Sequence, residues 1–95
     1  MIMAKRTDSN QTEIVTALRK LGCSVAITSH VGKGFPDIVV GWKGRNFLFE
    51  IKDGSQVPSR RKLTPDEKKF HEFWFGDIKV IESVDDALRC VGAIK

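Results

Sequence analysis

The stretch that decides the fold is GFPDIVVGWKGRNFLFEIKDG, residues 34–54. Two apolar runs, residues 38–42 and 47–51, predict the strands of a hairpin buried on both faces, because their hydrophobicity is nearly continuous. Charged residues stand at the ends of these runs, namely Asp37, Glu50 and Lys52. An unpaired charge next to a core is costly. These three side chains therefore need either partners or a function.

The residues between the two runs predict how the strands pair. Residues 42–45 are the natural turn, and a turn sets the register of its hairpin. With Lys43 and Gly44 as the two loop residues, counting outward places Asp37 directly opposite Glu50. Directly opposed side chains have Cβ atoms about 5 Å apart on the same face of the sheet.

The predicted pairing creates a repulsion that a metal ion relieves. Two carboxylates about 5 Å apart repel by about 3 kcal/mol at an effective dielectric constant of about 20. Lys52 shares their face because side chains alternate, but one ammonium group cannot saturate two carboxylates. Magnesium prefers oxygen ligands and keeps several waters, which suits Asp37, Glu50 and the main-chain carbonyl of Ile51. The lysine is then available to help a water or to neutralise a phosphoryl transition state.

The rest of the chain predicts one α/β domain, residues 1–95, with the element order αβββαβα. A capping pattern opens the first helix, and glycines or turn residues separate the later elements. Outside the hairpin we expect a helix from Asn10 to Gly22, a strand at 23–28, a loop at 29–34, a loop at 53–62, a helix from Thr64 to Gly76, a strand at 78–81 and a last helix from Ser83 to Val91.

The second helix carries most of the aromatic residues. Thr64 is its predicted N-cap, and a proline follows at the first helical position. Phe70, Phe73 and Trp74 form its apolar stripe and are predicted to belong to the core. Phe75 lies off that stripe, so it is expected to cover a loop or to make an oligomer contact.

Composition narrows the class of protein. The net charge of +4 suits a polyanionic partner. The longest uncharged stretch, residues 21–32, is too short and polar to span a membrane. The N-terminal residues lack the apolar region of a secretory signal, which predicts a cytoplasmic location. Cys23 and Cys90 are too few and too far apart for a zinc site, so reduced structural thiols are expected.

The motif of the hairpin is that of a known superfamily. Pro36 and Asp37, followed after twelve residues by Glu50-x-Lys52, resemble the PD-(D/E)XK nucleases. With Leu63-Thr64-Pro65 opening a helix, residues 9–91 resemble a stand-alone VRR-Nuc domain of the phage type, similar to Holliday junction resolvases. The resemblance implies an αβββαβ core, a mixed four-stranded sheet flanked by helices, and a short C-terminal helix.

The resemblance also implies roles for individual residues. Asp37 and Glu50 would bind Mg²⁺, for which Mn²⁺ substitutes, and Lys52 would be the catalytic lysine. Glu13 falls where the superfamily often has an acid that faces the metal directly or through water. One position departs from the pattern, because Glu67 stands where relatives often have Gln. A role for Glu67 is therefore not carried over.

Several of these residues have a second interpretation. The charged hairpin ends are also consistent with a salt-bridged strand end. Glu13 also fits a capping box with Asn10. Lys33 either contacts a phosphate or is simply solvated, and His71 is expected at the surface or at the rim of the core. A basic segment that follows the hairpin either tracks a nucleic-acid backbone or adds solubility; it consists of Arg60, Arg61 and Lys62.

The predicted function is that of a Mg²⁺-dependent deoxyribonuclease selective for DNA structure. The resemblance points to branched DNA such as four-way junctions, and symmetric cutting of a junction requires two active sites, hence a homodimer. The alternative is a nucleic-acid-binding module that keeps the nuclease fold without catalysis. A sequence-specific restriction enzyme would need more chain for base recognition.

Overall fold

The computed structural model of the protein describes residues 10–95. The first nine residues, which include the N-terminal segment used to predict the cellular location, lie outside the described residues. The predicted order of elements is confirmed in residues 10–95. The elements are α1 (Gln11–Leu21), β1 (Ser24–Ile27), β2 (Ile38–Trp42), β3 (Arg45–Ile51), a 3₁₀ turn (Pro58–Arg60), α2 (Pro65–Phe73), β4 (Lys79–Ile81) and α3 (Val84–Val91).

The four strands form one mixed sheet in the order β1-β2-β3-β4. The pairs β1-β2 and β2-β3 are antiparallel, whereas β3-β4 is parallel. A parallel pair requires a crossover, and α2 lies in the connection from β3 to β4. This is the α/β fold with a mixed four-stranded sheet that the sequence predicts.

The turn between β2 and β3 confirms the predicted register. Trp42 pairs with Arg45, so Lys43 and Gly44 are the two loop residues. Their φ angles are 49° and 77°. Positive φ at both positions is the signature of a type I′ turn, whose twist matches that of the strands and makes Gly a favourable second residue.

Burial alternates in the middle of the hairpin, so the prediction that it is buried on both faces holds only at the end where Asp37 and Glu50 are buried. On β2 and β3 the residues that face the core are buried, whereas Val39 and Leu48 on the opposite face are half-buried. The reason is that α1 and α3 pack together and close one face of the sheet. The buried core consists of Ile14, Val15, Leu18, Cys23, Ile38, Val40, Phe47, Phe49, Ile51, Ile81, Ala87 and Val91.

The first helix begins differently from the prediction. Asn10 is the N-cap, but its side chain makes no capping hydrogen bond, so the predicted capping box with Glu13 is wrong. Instead Nδ2 of Asn10 donates to the carbonyl oxygens of Lys52, at 3.0 Å, and Glu82, at 3.1 Å. Asn10 therefore ties the start of α1 to the residues that follow β3 and β4.

The second helix begins as predicted. Thr64 is the N-cap, and Pro65 is the first helical residue. The backbone N–H of Glu67 donates to Oγ1 of Thr64 at 3.2 Å, and the backbone N–H of Thr64 donates to Oε1 of Glu67 at 2.9 Å. These two bonds form a complete capping box.

The aromatic stripe of α2 does not belong to the core, and this prediction is wrong. Phe73 is 68% exposed and Trp74 is 41% exposed, while Phe70 is half-buried. The ring of Phe70 contacts the ring of Phe35 edge-on, with 5.4 Å between the ring centroids, and stacks on the ring of Trp74, with 5.0 Å between the centroids. The side chain that α2 buries is Glu67. The helix also ends at Phe73, before the predicted stop at Gly76.

Two further boundaries are shorter than predicted, and the last helix is confirmed. β1 covers Ser24–Ile27, and β4 covers Lys79–Ile81. The hydroxyl of Ser83 caps α3 by accepting from the backbone N–H of Asp86 at 3.1 Å. Within residues 10–95, no helix is long and apolar enough to cross a membrane.

Candidate active site

Asp37 and Glu50 lie opposite each other at one end of the hairpin. The backbone N–H of Asp37 donates at 3.0 Å to the carbonyl of Phe49, which is also the strand partner of Ile38, so Asp37 lies just before the paired residues of β2 and next to Glu50. Asp37 is 5% exposed and Glu50 is 1% exposed. Both lie on the face of β2 and β3 opposite the core, because side chains alternate along a strand.

The carboxylate of Asp37 is held by the main chain of the neighbouring strand. Its Oδ2 accepts a hydrogen bond from the backbone N–H of Ile51 at 2.8 Å. Ile51 is fully buried at the end of β3. The orientation of Asp37 therefore follows from the pairing of the two strands.

Glu50 holds its proton more tightly than an ordinary glutamate. Burial, followed by a hydrogen bond with Asp37 and repulsion from it, raises the pKa of Glu50 to about 10. The charge of Glu67 adds to this shift. In addition, Oε1 of Glu50 is buried and has no hydrogen-bond partner among residues 10–95. A buried acceptor without a donor is costly, so this position suits a group that is absent from the chain itself.

Lys52 and Glu67 form a buried ion pair beside these acids. Nζ of Lys52 donates to Oε1 of Glu67 at 2.8 Å, with side-chain exposures of 10% and 6%. Burial acts to raise the pKa of Glu67, but hydrogen bonds from Lys52 and Thr64 outweigh it and lower the pKa. Glu67 is therefore ionised opposite the lysine.

The loop between β1 and β2 packs directly on the first turn of α2. A β-carbon at Gly34 would collide with the main chain of Asp66 and Glu67, and the φ angle of Gly34 is 78°. Only glycine allows this close approach. Next to it, a cavity of about 250 Å³ opens onto the helix start; it is lined by Ser29, His30, Gly32, Lys33, Gly34, Thr64, Asp66 and Glu67.

Glu13 is exposed on α1 and lines a cavity of about 630 Å³. The other residues of that cavity are Asn10, Asp53, Gly54, Ser55, Glu82, Ser83, Val84 and Asp86. A role for Glu13 beside Asp37, Glu50 and Lys52 stays a prediction.

The predicted nucleic-acid contacts differ in their surroundings. Lys33 is exposed in the β1-β2 loop, and Arg60 and Lys62 are exposed around the 3₁₀ turn. Arg61 instead forms an ion pair, in which Nη1 lies 2.9 Å from Oε2 of Glu82. Arg61 therefore has a structural contact that its exposed neighbours lack in the contacts described.

The two histidines lie near the site without entering it. His71 is half-buried on α2, one turn after Glu67, which agrees with the predicted position at the rim of the core. Burial lowers the pKa of His71; the charge of Glu67 opposes this effect, and the charge of Lys52 adds to it. His30 is exposed.

The donor set determines which metal ion the site can accept. In the described part of the chain, no group of three or more His, Cys, Asp or Glu side chains is arranged to hold a metal ion. Asp37 and Glu50 supply two carboxylates, and the unpartnered Oε1 of Glu50 is an acceptor that a cation would satisfy. The residues therefore fit an oxygen-seeking ion that keeps several waters, and Mg²⁺ has this preference.

Glu67 is the residue of the cluster that sequence reasoning missed. Its spacing from Thr64 signals a capping box, and the structure confirms that box. The contact with Lys52 joins residues 15 positions apart on different elements. No local pattern predicts it, because it depends on how α2 packs over the end of β3.

Comparison with known proteins agrees with this architecture. A solved structure described as a VRR_NUC domain superposes with a TM-score of 0.62 and 23% sequence identity, over 85% of this chain and 88% of that chain. No family model and no curated protein matches the sequence. The similarity predicted from the hairpin motif is confirmed as a likeness of fold: over 85% of its length, this chain shares the α/β fold of the structure described as a VRR_NUC domain.

Proposed function

We propose that this protein is a Mg²⁺-dependent endodeoxyribonuclease, which hydrolyses phosphodiester bonds and also accepts Mn²⁺. The observation that carries the proposal is the burial of the Glu50 carboxyl group beside Asp37, which raises the pKa of Glu50 to about 10. Two carboxyl groups in this arrangement destabilise the metal-free fold. A bound cation removes that cost, and perturbed acids of this kind cluster at functional sites.

Each residue of the cluster has an assigned task. Asp37, Glu50 and the main-chain carbonyl of Ile51 would hold the ion, which supplies an acidified water and stabilises negative charge on a phosphate. Lys52 lies beside Glu50 along β3 and would orient the attacking water or a phosphate oxygen through its ammonium group. Glu13 is proposed to face the ion directly or through water.

DNA is the proposed substrate, and the fold likeness to a VRR_NUC domain supports it. Lys33, Arg60 and Lys62 are exposed cations suited to contacting phosphates. Contacts to phosphates recognise the shape of the DNA backbone and not the base sequence. Arg61 is a weaker candidate because it is paired with Glu82. A domain of this size has few residues left for base readout, so we infer selectivity for branched DNA such as four-way junctions.

Cutting a junction on two strands calls for two active sites, so the proposed functional unit is a homodimer. The exposed aromatic residues at the end of α2 support this assembly. Phe75 is completely exposed, with a relative accessibility of 103%, and it follows the exposed Phe73 and Trp74. The proposed setting is the cytoplasm of the cell that holds the DNA, which is the host cell if the protein comes from a phage.

A non-catalytic DNA-binding module with the same fold is the competing function. Such a module has no need for two repelling carboxyl groups beside its phosphate contacts, because they weaken binding of an anion. The competing function predicts DNA binding that does not depend on Asp37 and Glu50, and no cleavage under any metal condition.

The test is cleavage of supercoiled plasmid and of a synthetic four-way junction, with Mg²⁺, with Mn²⁺ and with EDTA. We expect cleavage only with a metal ion. Lys52→Ala should abolish cleavage and retain DNA binding, because Lys52 is assigned to the chemical step. Lys20→Ala, which removes an exposed lysine in the last turn of α1, is the matched control and should cleave normally. Full activity of Lys52→Ala would contradict the assignment.

A further inference from the structure

Oε1 of Glu67 accepts two hydrogen bonds from different elements. Nζ of Lys52, at the end of β3, lies 2.8 Å away, and the backbone nitrogen of Thr64, before α2, lies 2.9 Å away. Glu67 is only 5% exposed. One oxygen therefore joins the ammonium group of the candidate site to the capped end of a helix.

This connection restricts a flexible side chain. Lysine has a four-carbon stem with many rotamers, and the contact with Glu67 selects among them. A surface partner holds such a group poorly, whereas the capping box holds the Glu67 carboxylate. Close packing of Gly34 against the main chain of Asp66 and Glu67 holds the first turn of α2. The position of the ammonium group is then set by the packing of α2 on the β1-β2 loop.

We propose that Glu67 is a positioning residue, which holds Nζ of Lys52 in place for the reaction. The inference rests on the nuclease function proposed above and goes beyond it, because it assigns a task to a residue outside the hairpin motif. A carboxylate gives the lysine a charged partner that a neutral amide lacks. If Glu67 served only as a cap, its contact with Lys52 would be incidental.

Three variants separate positioning from capping. Glu67→Ala removes both bonds to Oε1. Glu67→Gln keeps an acceptor oxygen for Lys52 and for the Thr64 backbone while removing the charge. Thr64→Ala removes the reciprocal bond to Oγ1 and weakens the cap, but it leaves the Lys52–Glu67 contact. If Glu67 only caps the helix, Glu67→Ala and Thr64→Ala should have similar effects on cleavage.

The kinetic readout is the cleavage of plasmid DNA in Mg²⁺. We expect Glu67→Ala to lower kcat about 10- to 100-fold, because misplacing a reacting group by about 1 Å has effects of this size. KM for DNA should change by less than about twofold. Glu67→Gln should retain activity within about fivefold of the unchanged protein, and Thr64→Ala should keep a normal kcat despite lower thermal stability.

The second readout uses metal-free protein and does not depend on activity. In protein labelled with ¹⁵N and ¹³C, an ammonium group held by a carboxylate gives a resolved NMR signal, and we expect a Lys52 signal with a correlation to the Glu67 side-chain carboxyl carbon. The signal should persist in Thr64→Ala and disappear in Glu67→Ala. A normal kcat in a folded Glu67→Ala variant, or a Lys52 signal that Glu67→Ala leaves unchanged, would overturn the positioning role. No cleavage by the unchanged protein would instead overturn the nuclease function, and with it this task for Glu67.

Discussion

The Asp37 side chain reaches from the start of β2 to the end of β3, where its Oδ2 lies 2.8 Å from the backbone nitrogen of Ile51. The same carboxylate is the proposed metal ligand. One side chain thus satisfies a buried main-chain donor and contributes charge to the site. These two tasks separate under mutation, because the first needs only an oxygen acceptor and the second needs a carboxylate.

Asp37→Asn and Asp37→Ala should therefore differ in stability while both lose cleavage. Asn keeps an oxygen for the Ile51 N–H and relieves the repulsion with Glu50, so its metal-free stability should equal or exceed that of the unchanged protein. Ala leaves the N–H unpaired, at a cost of about 1–3 kcal/mol. Urea unfolding in EDTA and a plasmid assay measure the two effects. Near-normal turnover of Asp37→Asn would exclude Asp37 as a metal ligand.

Stability of the metal-free protein should fall as pH rises, because of Glu50. Its pKa is about 10 in the fold and 4.5 as the ordinary value, so between these values the folded state binds more protons than the unfolded state. The contribution of Glu50 is therefore most favourable at low pH and is lost as pH rises toward 10. Glu50→Gln should be increasingly more stable than the unchanged protein from pH 6 to pH 9. Thermal unfolding in EDTA tests this, and a difference in Tm that does not depend on pH would contradict it.

Gly34→Ala should be far more damaging than Gly32→Ala. Both glycines have positive φ, 78° and 85°, so both substitutions introduce strain of about 1–2 kcal/mol. A β-carbon at Gly32 meets no atom within 4 Å, whereas one at Gly34 collides with Asp66. We expect Gly34→Ala to lose additional stability and to displace the start of α2. Urea unfolding of the two variants measures the difference, and equal losses would show that the loop does not depend on this contact.

The homodimer should depend on the aromatic surface at the end of α2. Phe75→Glu places a charge on this exposed surface and should give a folded monomer, because Phe75 is completely exposed within the chain. Val57→Glu is the control, since Val57 is 61% exposed in a different loop. Light scattering measures the mass, and cleavage of junction and linear DNA measures the preference. An unchanged protein that is monomeric and cuts both substrates equally would remove the junction-resolving role while leaving the nuclease assignment.

The hairpin could be predicted from sequence because its determinants are local. Lys43 and Gly44 specify the turn, and the turn specifies the register as far as Ile38 opposite Phe49, which brings the next residues, Asp37 and Glu50, close together. The starts of α2 and α3 at the caps Thr64 and Ser83 could also be predicted from sequence, because a cap acts within one turn of its helix.

Predictions that depended on tertiary packing were less successful. The pattern of Phe70, Phe73 and Trp74 indicates an amphipathic helix, but it contains no information on whether a partner covers that face. Asn10 has the sequence of a cap, yet its amide finds two carbonyl groups brought close by β3 and β4. For Asn10 and for Glu67, contacts with residues far away in the sequence therefore replace or add to the interaction that the local pattern predicts.

The type I′ turn also determines which strand register is compatible with the core. If β3 paired with its register shifted by one residue, its side chains would exchange faces. Glu50 and Lys52 would then face Ile14 and Leu18 in the core, and Phe49 and Ile51 would lie on the opposite face. Such a molecule would bury charges and expose its apolar side chains at once, and it would not remain folded. The register that packs the core is therefore the same register that places Glu50 and Lys52 on the opposite face of the sheet.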